Sequence, residues 1–243
     1  MRVAIASDIH GNKQAFQAVI AAAEAAGADE LWCLGDLVGY GAEPDACVAL
    51  ADAHCTICLA GNHDLAVVEV LSLDDFSRGA ALAAYWTREV IRPETREYLL
   101  SLSPQSSAEG VGLFHASPRD PIWEYVLSAL AAELCFDATD FRISFIGHSH
   151  VALSFHRPEG APASGTTRRE GAEVDLTTGE WLINPGSTGQ PRDGDARAAW
   201  LMLDTGNWTA AWQRAEYDVA GAQAAIRAAN LPDSLAERLQ YGQ

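Results

Sequence analysis

Three short apolar segments alternate with two helix-like segments at the start of the chain, and this alternation limits the fold more than any other sequence feature. The apolar segments begin at Val3, Leu31 and Thr56, and the segments between them, Lys13–Ala26 and Pro44–Ala53, are typical of helices. Repeats of strand, helix and strand join parallel strands through right-handed crossovers. We therefore expect a largely parallel sheet here, with functional residues beyond the carboxyl ends of its strands.

Residues that commonly bind metals follow five of the apolar segments. They are found in Asp8-x-His10, Gly35-Asp36, Gly61-Asn62-His63-Asp64, His115 and Gly147-His148-Ser149-His150. In an extended backbone, side chains two residues apart point to the same face, which predicts that Asp8 and His10 converge, and likewise His148 and His150. Carboxylates and imidazoles suit Mn, Fe or Zn. Each motif alone also fits a turn residue or a surface histidine, but five in succession predict a metal centre.

The second half of the chain has the pattern of an antiparallel sheet. Its apolar segments span residues 112–115, 143–147, 151–156, 173–177, 181–183, 198–203 and 207–214. Turns at Thr178-Gly179 and Thr205-Gly206-Asn207 suggest hairpins, and the stretch 158–171 is rich in Gly, Pro, Ala and Thr, as in a surface loop. No linker separates the halves, so we expect two sheets packed in one domain that spans residues 1–243.

Two further helix-like segments, Asp74–Ile91 and Pro93–Leu102, interrupt the succession of strands. They predict a helical insert over about residues 72–103. This insert fits either a cap beside the site or a pair of helices that pack on the core. A last helical segment, Val219–Leu239, is broken at Pro232.

The charge and the cysteine content of the chain limit which partners it is expected to bind and in which cellular compartment it is expected to lie. The 243 residues carry a formal charge of −17 without a cluster of Lys or Arg, which argues against binding to duplex nucleic acid. No apolar run approaches the roughly 20 residues that span a bilayer, and no signal-peptide pattern is present. Five cysteines, an odd number, indicate reduced thiols. We expect a cytoplasmic protein without a membrane partner; the sequence leaves a homo-oligomer open.

At this point the chain resembles the calcineurin-like metallophosphoesterase superfamily, in particular its small prokaryotic phosphodiesterase-like branch. The resemblance covers nearly the whole chain through six motifs in order. They are SDIHGN, LGDLVGYG, GNHD, LFHASP, GHSH and INPGSTGQPRD. It implies an α/β fold in which two mixed β-sheets pack as a sandwich flanked by helices (αββα), with a two-metal site between the sheet ends.

The resemblance also implies roles for individual residues around two divalent ions. One ion would be held by Asp8, His10 and His150, the other by Asn62, His115 and His148, and Asp36 would bridge both. His63 and Asp64 would be catalytic, with His63 over the site and Asp64 orienting its ring. We expect manganese, with iron, nickel or zinc as alternatives that suit the same ligands.

These roles imply hydrolysis of a small, nucleotide-like phosphodiester by a hydroxide that bridges the metals and attacks phosphorus. Arg119 and Arg192 follow motif residues, and their guanidinium groups suit substrate oxygens or a distal phosphate. They equally suit Arg–Asp pairs that hold the rim of the site. Tyr40 and Trp123 are able to stack on a base, but we expect them to serve in packing.

Three other functions remain open at this stage. A phosphomonoesterase would use the same residues on a different substrate. A catalytically weak scaffold of this fold would bind proteins, as a retromer subunit of similar fold does, but here every ligand position is filled. A nuclease would need a basic groove that the sequence lacks. We therefore predict an enzyme, a metal-dependent phosphohydrolase, and a phosphodiesterase in preference to a phosphatase.

Overall fold

The computed structural model describes residues 1–243, and its twelve strands form two sheets of six. The strands are β1 (Arg2–Ala6), β2 (Glu30–Cys33), β3 (Ile57–Cys58), β4 (Gln105–Ala108), β5 (Val111–Phe114), β6 (Ile143–Phe145), β7 (Leu153–Arg157), β8 (Ser164–Thr167), β9 (Glu173–Asp175), β10 (Glu180–Asn184), β11 (Ala198–Asp204) and β12 (Thr209–Ala215). The helices are α1 (Lys13–Ala25), α2 (Pro44–His54), α3 (Asn62–Val67), α4 (Arg78–Val90), α5 (Pro93–Ser101), α6 (Ala129–Phe136), α7 (Val219–Ala228) and α8 (Asp233–Glu237), with a 3₁₀ turn at Arg238–Gln240.

Both sheets are mixed. The first has the order β3-β2-β1-β11-β12-β9, in which β1, β2 and β3 are parallel and β11 runs antiparallel to β1. The second has the order β4-β5-β6-β10-β7-β8, with β5, β6 and β10 parallel. The predicted parallel unit is therefore confirmed for the first three strands, and strands from the second half extend that same sheet. The predicted fold, two mixed sheets flanked by helices, is confirmed.

The alternation of residues along β1 explains how the layers assemble. Val3 and Ile5 point into the apolar cluster between the two sheets, where they meet residues such as Phe145 of β6. Ala4 and Ala6 point to the opposite face, where helix α1 packs with residues such as Phe16. Because both faces are covered, β1 is buried except at its first residue, and its carboxyl end is fixed in position.

The turn at Thr178-Gly179 does not make a hairpin, contrary to the prediction. Strand β9 before it pairs with β12 in the first sheet, whereas β10 after it pairs with β6 and β7 in the second. Leu176 and Trp181 both belong to the apolar cluster between the sheets, so the chain crosses from one sheet to the other here. The predicted hairpin at Thr205-Gly206-Asn207 is confirmed, since it joins the antiparallel strands β11 and β12.

Several elements differ from the sequence predictions because their residues do not show a clear pattern of a helix or a strand. The expected loop 158–171 contains β8, an exposed polar strand that pairs with β7 at one end of the second sheet. The segments that form α3, β4 and α6 were not predicted as helix or strand. Helix α4 begins at Arg78 instead of Asp74, because the Ser77 hydroxyl accepts a hydrogen bond from Ala80 N and caps the helix there.

The helices of the 72–103 segment pack on the first sheet's helical layer. Ala84 of α4 and Leu99 of α5 are fully buried in the cluster that includes α1. These two residues pack as in the second alternative, while Phe76 before α4 and Ala80 within it border the cavity described below. No helix in the structure has the length and apolar composition needed to cross a membrane.

Substitution of one buried and one exposed leucine tests the position of the core. Leu113 of β5 is fully buried between the sheets, and Leu130 of α6 is 72% exposed. We expect Leu113→Ala to lower the free energy of unfolding by about 2–5 kcal/mol, since it removes buried methyl groups and leaves a cavity. Leu130→Ala should change it by no more than about 0.5 kcal/mol. Urea denaturation followed by circular dichroism measures both values, and equal effects would contradict this core.

Candidate metal centre

The motifs predicted to bind metal lie together where strands of the two sheets end. Asp8 follows β1 and Asp36 follows β2 in the first sheet, while His115 follows β5 and His148 follows β6 in the second. The two sheets pack face to face, so these loops meet at one edge of the sandwich. All of the predicted ligands are at most 4% exposed.

The backbone at five of the seven predicted ligands is left-handed and not extended. The φ angles are 54° at Asp8, 50° at His10, 53° at Asp36, 62° at His148 and 60° at His150. The argument that extended residues two apart share a face is therefore wrong here. Such φ values are uncommon for residues with a β-carbon and often mark functional sites.

Hydrogen bonds between the loops hold this unusual backbone. Asp8 N donates to Gly35 O at 3.0 Å, His10 N donates to Asp36 O at 2.8 Å, and His148 N donates to the Asp8 carboxylate at 3.1 Å. The ligand side chains converge because each sharp loop is pinned to its neighbour. Local spacing along the sequence does not produce this convergence.

Backbone carbonyls fix the tautomer of three histidines. The Nδ1 atoms of His10, His115 and His150 lie 3.1, 2.9 and 2.7 Å from the carbonyl oxygens of Val38, Leu34 and Gln190, respectively. A carbonyl only accepts hydrogen bonds, so each Nδ1 must carry the proton. Each Nε2 then presents a free lone pair to the site, which is the form that binds a metal.

Several candidate donor atoms lie close to one another at the centre of the site. Nε2 of His10 is 3.0 Å from Nε2 of His150, and Nε2 of His115 is 3.2 Å from Oδ1 of Asn62. Because His10 and His150 are neutral and carry the proton on Nδ1, no proton lies between their two Nε2 atoms. Such contacts are repulsive in isolation and become favourable when a cation binds both atoms.

Asp36 has the position of a ligand shared by two groups of donors. Its Oδ2 lies 3.6 Å from Nε2 of His10 and 3.6 Å from Nε2 of His115, while its Oδ1 accepts a hydrogen bond from His63 N. Oδ2 of Asp8 and Nε2 of His148 are buried and have no hydrogen-bond partner. Buried polar atoms are rarely left unpaired, so these two point to a missing ligand.

The electrostatics of the site favour cation binding. Burial raises the pKa of Asp8 to about 7, and burial together with Asp64 raises the pKa of Asp36 well above its usual value. Burial also lowers the pKa of His10 and His150, which stay neutral. Neutral imidazoles beside desolvated carboxylates fit divalent cations, because a bound cation stabilises the charged carboxylates that burial disfavours.

The donors form groups of the size that a metal ion requires. Asp8, His10 and His150 form one group and Asp36, His115 and His148 form another, with ligand atoms within 4.8 Å of one another in each. His63 forms a third group with His10 and Asp36. This site can therefore bind divalent metal ions and, through them, an anion such as a phosphate.

His63 and Asp64 have different surroundings from those the sequence predicts. The Asp64 carboxylate accepts hydrogen bonds from the backbone N–H groups of Leu37, Val38 and Gly61 and makes none to the His63 ring. Asp64 therefore positions the loop that carries Asp36. Nδ1 of His63 has no partner, and burial, together with the nearby charges of His115 and Arg192, lowers the pKa of His63 to about 3.

A cavity of about 370 Å³ opens over this centre. Asp36, Asn62, His63, His148 and His150 line its floor, and Tyr40, Phe76, Trp123 and Tyr125 add aromatic walls. Arg192 also lines it, together with Arg238, which the sequence analysis did not single out. Tyr40 packs between His10 and His63, with ring centroids 4.7 and 4.5 Å away.

Arg119 does not line this cavity, although the sequence suggested it for substrate binding. Its Nη1 donates to Oε1 of Glu124 at 2.9 Å, and its side chain is 40% exposed. Glu124 neutralises the guanidinium and holds it in the loop that follows β5. The alternative of a loop ion pair therefore describes Arg119 better, with Glu124 in place of the neighbouring Asp120.

Loops from the second half hold the first motif in place. Ser187 Oγ donates to Asp8 O at 2.8 Å, and Asn184 Nδ2 donates to Gly147 O at 2.6 Å. Asn12 caps helix α1 and also donates to Gly189 O at 2.8 Å. The INPGST motif therefore supports the loops that carry the candidate ligands.

Residues 1–207 match the calcineurin-like phosphoesterase superfamily domain. The chain belongs to this family. It is 37% identical to an uncharacterized protein of Methanocaldococcus jannaschii over 246 aligned positions, which cover 99% of this chain and 98% of that protein.

Two solved structures extend the comparison. A metallophosphoesterase from Sphaerobacter thermophilus has a TM-score of 0.91 and 40% identity, with 100% of this chain and 99% of that chain covered. A hypothetical protein from Pyrococcus horikoshii has a TM-score of 0.79 and 18% identity, with 100% and 98% covered, and shows the shared fold alone. A metallophosphoesterase hydrolyses phosphate esters with bound metal, which agrees with the donor groups in the cavity.

Metal binding should stabilise the protein through Asp36. When Mn²⁺ is added to chelator-treated protein at 100 times its dissociation constant, we expect the free energy of unfolding to rise by about 2.7 kcal/mol. Tm should therefore rise by roughly 5–10 °C. Asp36→Asn should lose most of this shift because the amide keeps the shape but removes the charge. Exposed Asp140→Asn is the matched control. Differential scanning fluorimetry measures the shift, and an equal shift in Asp36→Asn would contradict the shared ligand.

Proposed function

We propose that the protein is a dinuclear metal-dependent phosphoesterase that hydrolyses a small, nucleotide-like phosphodiester. The observation that carries this proposal is the pair of donor groups that meet at Asp36 on the floor of one cavity. Asp8, His10 and His150 would hold one ion, Asn62, His115 and His148 the other, and Asp36 both. Manganese is the expected ion, with iron, nickel or zinc as alternatives.

The bound ions would supply Lewis acidity, which draws charge from phosphate oxygens and makes hydroxide available near neutral pH. The chain's own residues set the geometry for this chemistry. The carbonyls that bind Nδ1 of the ligand histidines keep Nε2 free for coordination. The buried loops keep the donors in position before substrate arrives, so little reorganisation is needed during the reaction.

His63 is suited to stabilise charge on the reacting phosphate or its leaving oxygen. It lines the cavity beside the metal centre, and its ring centroid is 4.8 Å from that of His10 and 4.9 Å from that of Phe76. With its pKa near 3, the ring is neutral at pH 7 and retains one N–H donor. Hydrogen-bond donation to an anionic oxygen is the role that this protonation state supports.

The shape of the cavity favours a diester over a monoester. A phosphodiester carries a second organic group, and the aromatic residues Phe76, Trp123 and Tyr125 beside the centre offer an apolar surface for it. Phe76 and Trp123 pack edge to face, 5.3 Å apart. A phosphomonoesterase with the same mechanism is the second candidate, since one phosphate also fits at the centre. The complete donor set counts against a protein-binding scaffold.

Two chromogenic esters test this proposal. We expect the Mn²⁺-loaded protein to hydrolyse bis-p-nitrophenyl phosphate with a higher kcat/KM than p-nitrophenyl phosphate, and Asp36→Asn to lose both activities. The absorbance of the released p-nitrophenolate gives the rates, and the ratio of kcat/KM values compares the two esters. A preference for the monoester would support the phosphatase. No turnover of either ester by metal-loaded protein would support the scaffold.

His63→Ala should lower kcat on the preferred ester by about 10²–10⁴-fold, as expected for loss of a group that assists proton or charge transfer. Its metal content, measured by plasma mass spectrometry, should stay at the wild-type value, because His63 is proposed to act on substrate. Exposed His54→Ala is the matched control and should change neither quantity. Loss of metal in His63→Ala would instead assign His63 to the third donor group.

A further inference from the structure

Two arginine side chains converge on one wall of the cavity. Nη2 of Arg192 and Nη1 of Arg238 both donate to Oε1 of Gln190, at 3.1 and 3.2 Å. Nη2 of Arg192 also lies 3.4 Å from the hydroxyl of Tyr40. Neutral groups are therefore the only hydrogen-bond acceptors of either guanidinium, and no carboxylate neutralises the pair.

Each arginine of this pair has a buried N–H donor without a hydrogen-bond partner. Nε of Arg192 and Nε of Arg238 are both buried and have no hydrogen-bond partner. Burial and the charge of Arg192 lower the pKa of Arg238, as expected when two like charges are held together. Elsewhere in this acidic chain Arg157 and Arg197 each bind two or more carboxylates. Asp36 and Asp75 line the same cavity, but neither forms an ion pair with Arg192 or Arg238. The two guanidiniums therefore indicate a site for an anion from solution.

The pair lies one side chain away from the metal centre. Cζ of Arg192 is 5.8 Å from the ring centroid of Tyr40, and that ring contacts the rings of His10 and His63. The backbone N–H of Arg192 also donates to His150 O at 3.1 Å. This short spacing suits an anionic group that is bonded directly to the scissile phosphate. It suits less well an anionic group that is separated from the scissile phosphate by a nucleoside.

Arg238 comes from a part of the chain outside the family match, which covers residues 1–207. Helices α7 and α8 and the 3₁₀ turn carry it to the cavity. Leu235 and Leu239 pack in one cluster with Tyr40 and with Ala80 and Ala83 of α4. The C-terminal segment is thus anchored on the cavity wall, and it brings Arg238 to the cavity.

We propose that Arg192 and Arg238 bind a second phosphate linked to the scissile one, so that the enzyme prefers diphosphate or polyphosphate esters. Guanidinium forks match phosphate oxygens and donate two hydrogen bonds at once. Arg238 is then a residue that determines specificity. This inference rests on the proposed phosphoesterase function, because the scissile phosphate is placed at the metal centre.

The test compares p-nitrophenyl esters of thymidine 5′-monophosphate and 5′-diphosphate with the Mn²⁺-loaded enzyme. We expect Arg238→Met to lower kcat/KM for the diphosphate ester about 10- to 100-fold more than for the monophosphate ester, the loss typical of a charge-assisted contact. Arg238→Lys should recover part of this preference through its charge. Arg227→Met, which removes an exposed arginine of the same segment, is the matched control, and its ratio of kcat/KM values should equal that of wild type.

A binding measurement separates this inference from the proposed function. Isothermal titration of the metal-loaded proteins with inorganic pyrophosphate and with phosphate needs no turnover, and chelation of metal affects all variants alike. Weaker pyrophosphate binding in Arg238→Met, with Tm unchanged, supports the arginine site even if wild type hydrolyses neither ester; that result would reject only the proposed function. Equal pyrophosphate affinity and an equal ester ratio in wild type and Arg238→Met would overturn the inference.

Discussion

The close approach of unprotonated donors is the constraint on which the rest of the site depends. Nε2 of His10 and Nε2 of His150 lie 3.0 Å apart, and backbone carbonyls hold the proton of each ring on the other nitrogen. Two lone pairs at this distance repel each other unless a cation lies between them. The fold therefore has to supply enough stability to hold these groups together before any ion binds.

The two-sheet sandwich supplies that stability from both halves of the chain. Strand β1 is buried on both faces, and β11 from the second half pairs with it along its length. The loop after β10 then binds the first motif, with Thr188 N donating to Ser7 O and Gly189 N to Asp8 O. Left-handed residues cost about 1–3 kcal/mol each, a sizeable share of the 5–15 kcal/mol typical of a domain. Only a well-packed scaffold tolerates several of them in one site.

The sequence was sufficient to predict the general plan of this scaffold, because buried strands have recognisable apolar patterns. The ends of those strands also marked the donors that the structure brings together. The local argument for their direction failed, because φ at Asp8 and His148 is positive and a spacing of two residues has no fixed meaning there. Strand β8 has no recognisable pattern in the sequence, because all its residues are exposed and none has an apolar side chain. Its existence depends on pairing with β7, a contact that no local pattern encodes.

Contacts distant in sequence also decided the surroundings of the donors. Asp64 follows His63 directly, yet its carboxylate accepts hydrogen bonds from the backbone N–H groups of Leu37 and Val38 and from that of Gly61. Arg238 is 46 positions beyond Arg192 in the numbering, and only the packing of Leu235 and Leu239 on α4 brings the two together. No local sequence pattern predicts the hydrogen bonds of Asp64 or the proximity of Arg238 to Arg192.

The distribution of charge explains why such a cavity suits small phosphates. The chain has a net charge of −17, so its overall field repels polyanions such as nucleic acids. Arg192 and Arg238 oppose that field only within the cavity, beside donors that fit divalent cations. A compact phosphate ester inside the cavity would meet these local positive charges at short range, whereas a long polyanion would also be repelled by the net negative charge of the chain. A preference for small substrates then follows from the contrast between the charge of the cavity and that of the whole chain, without a dedicated steric barrier.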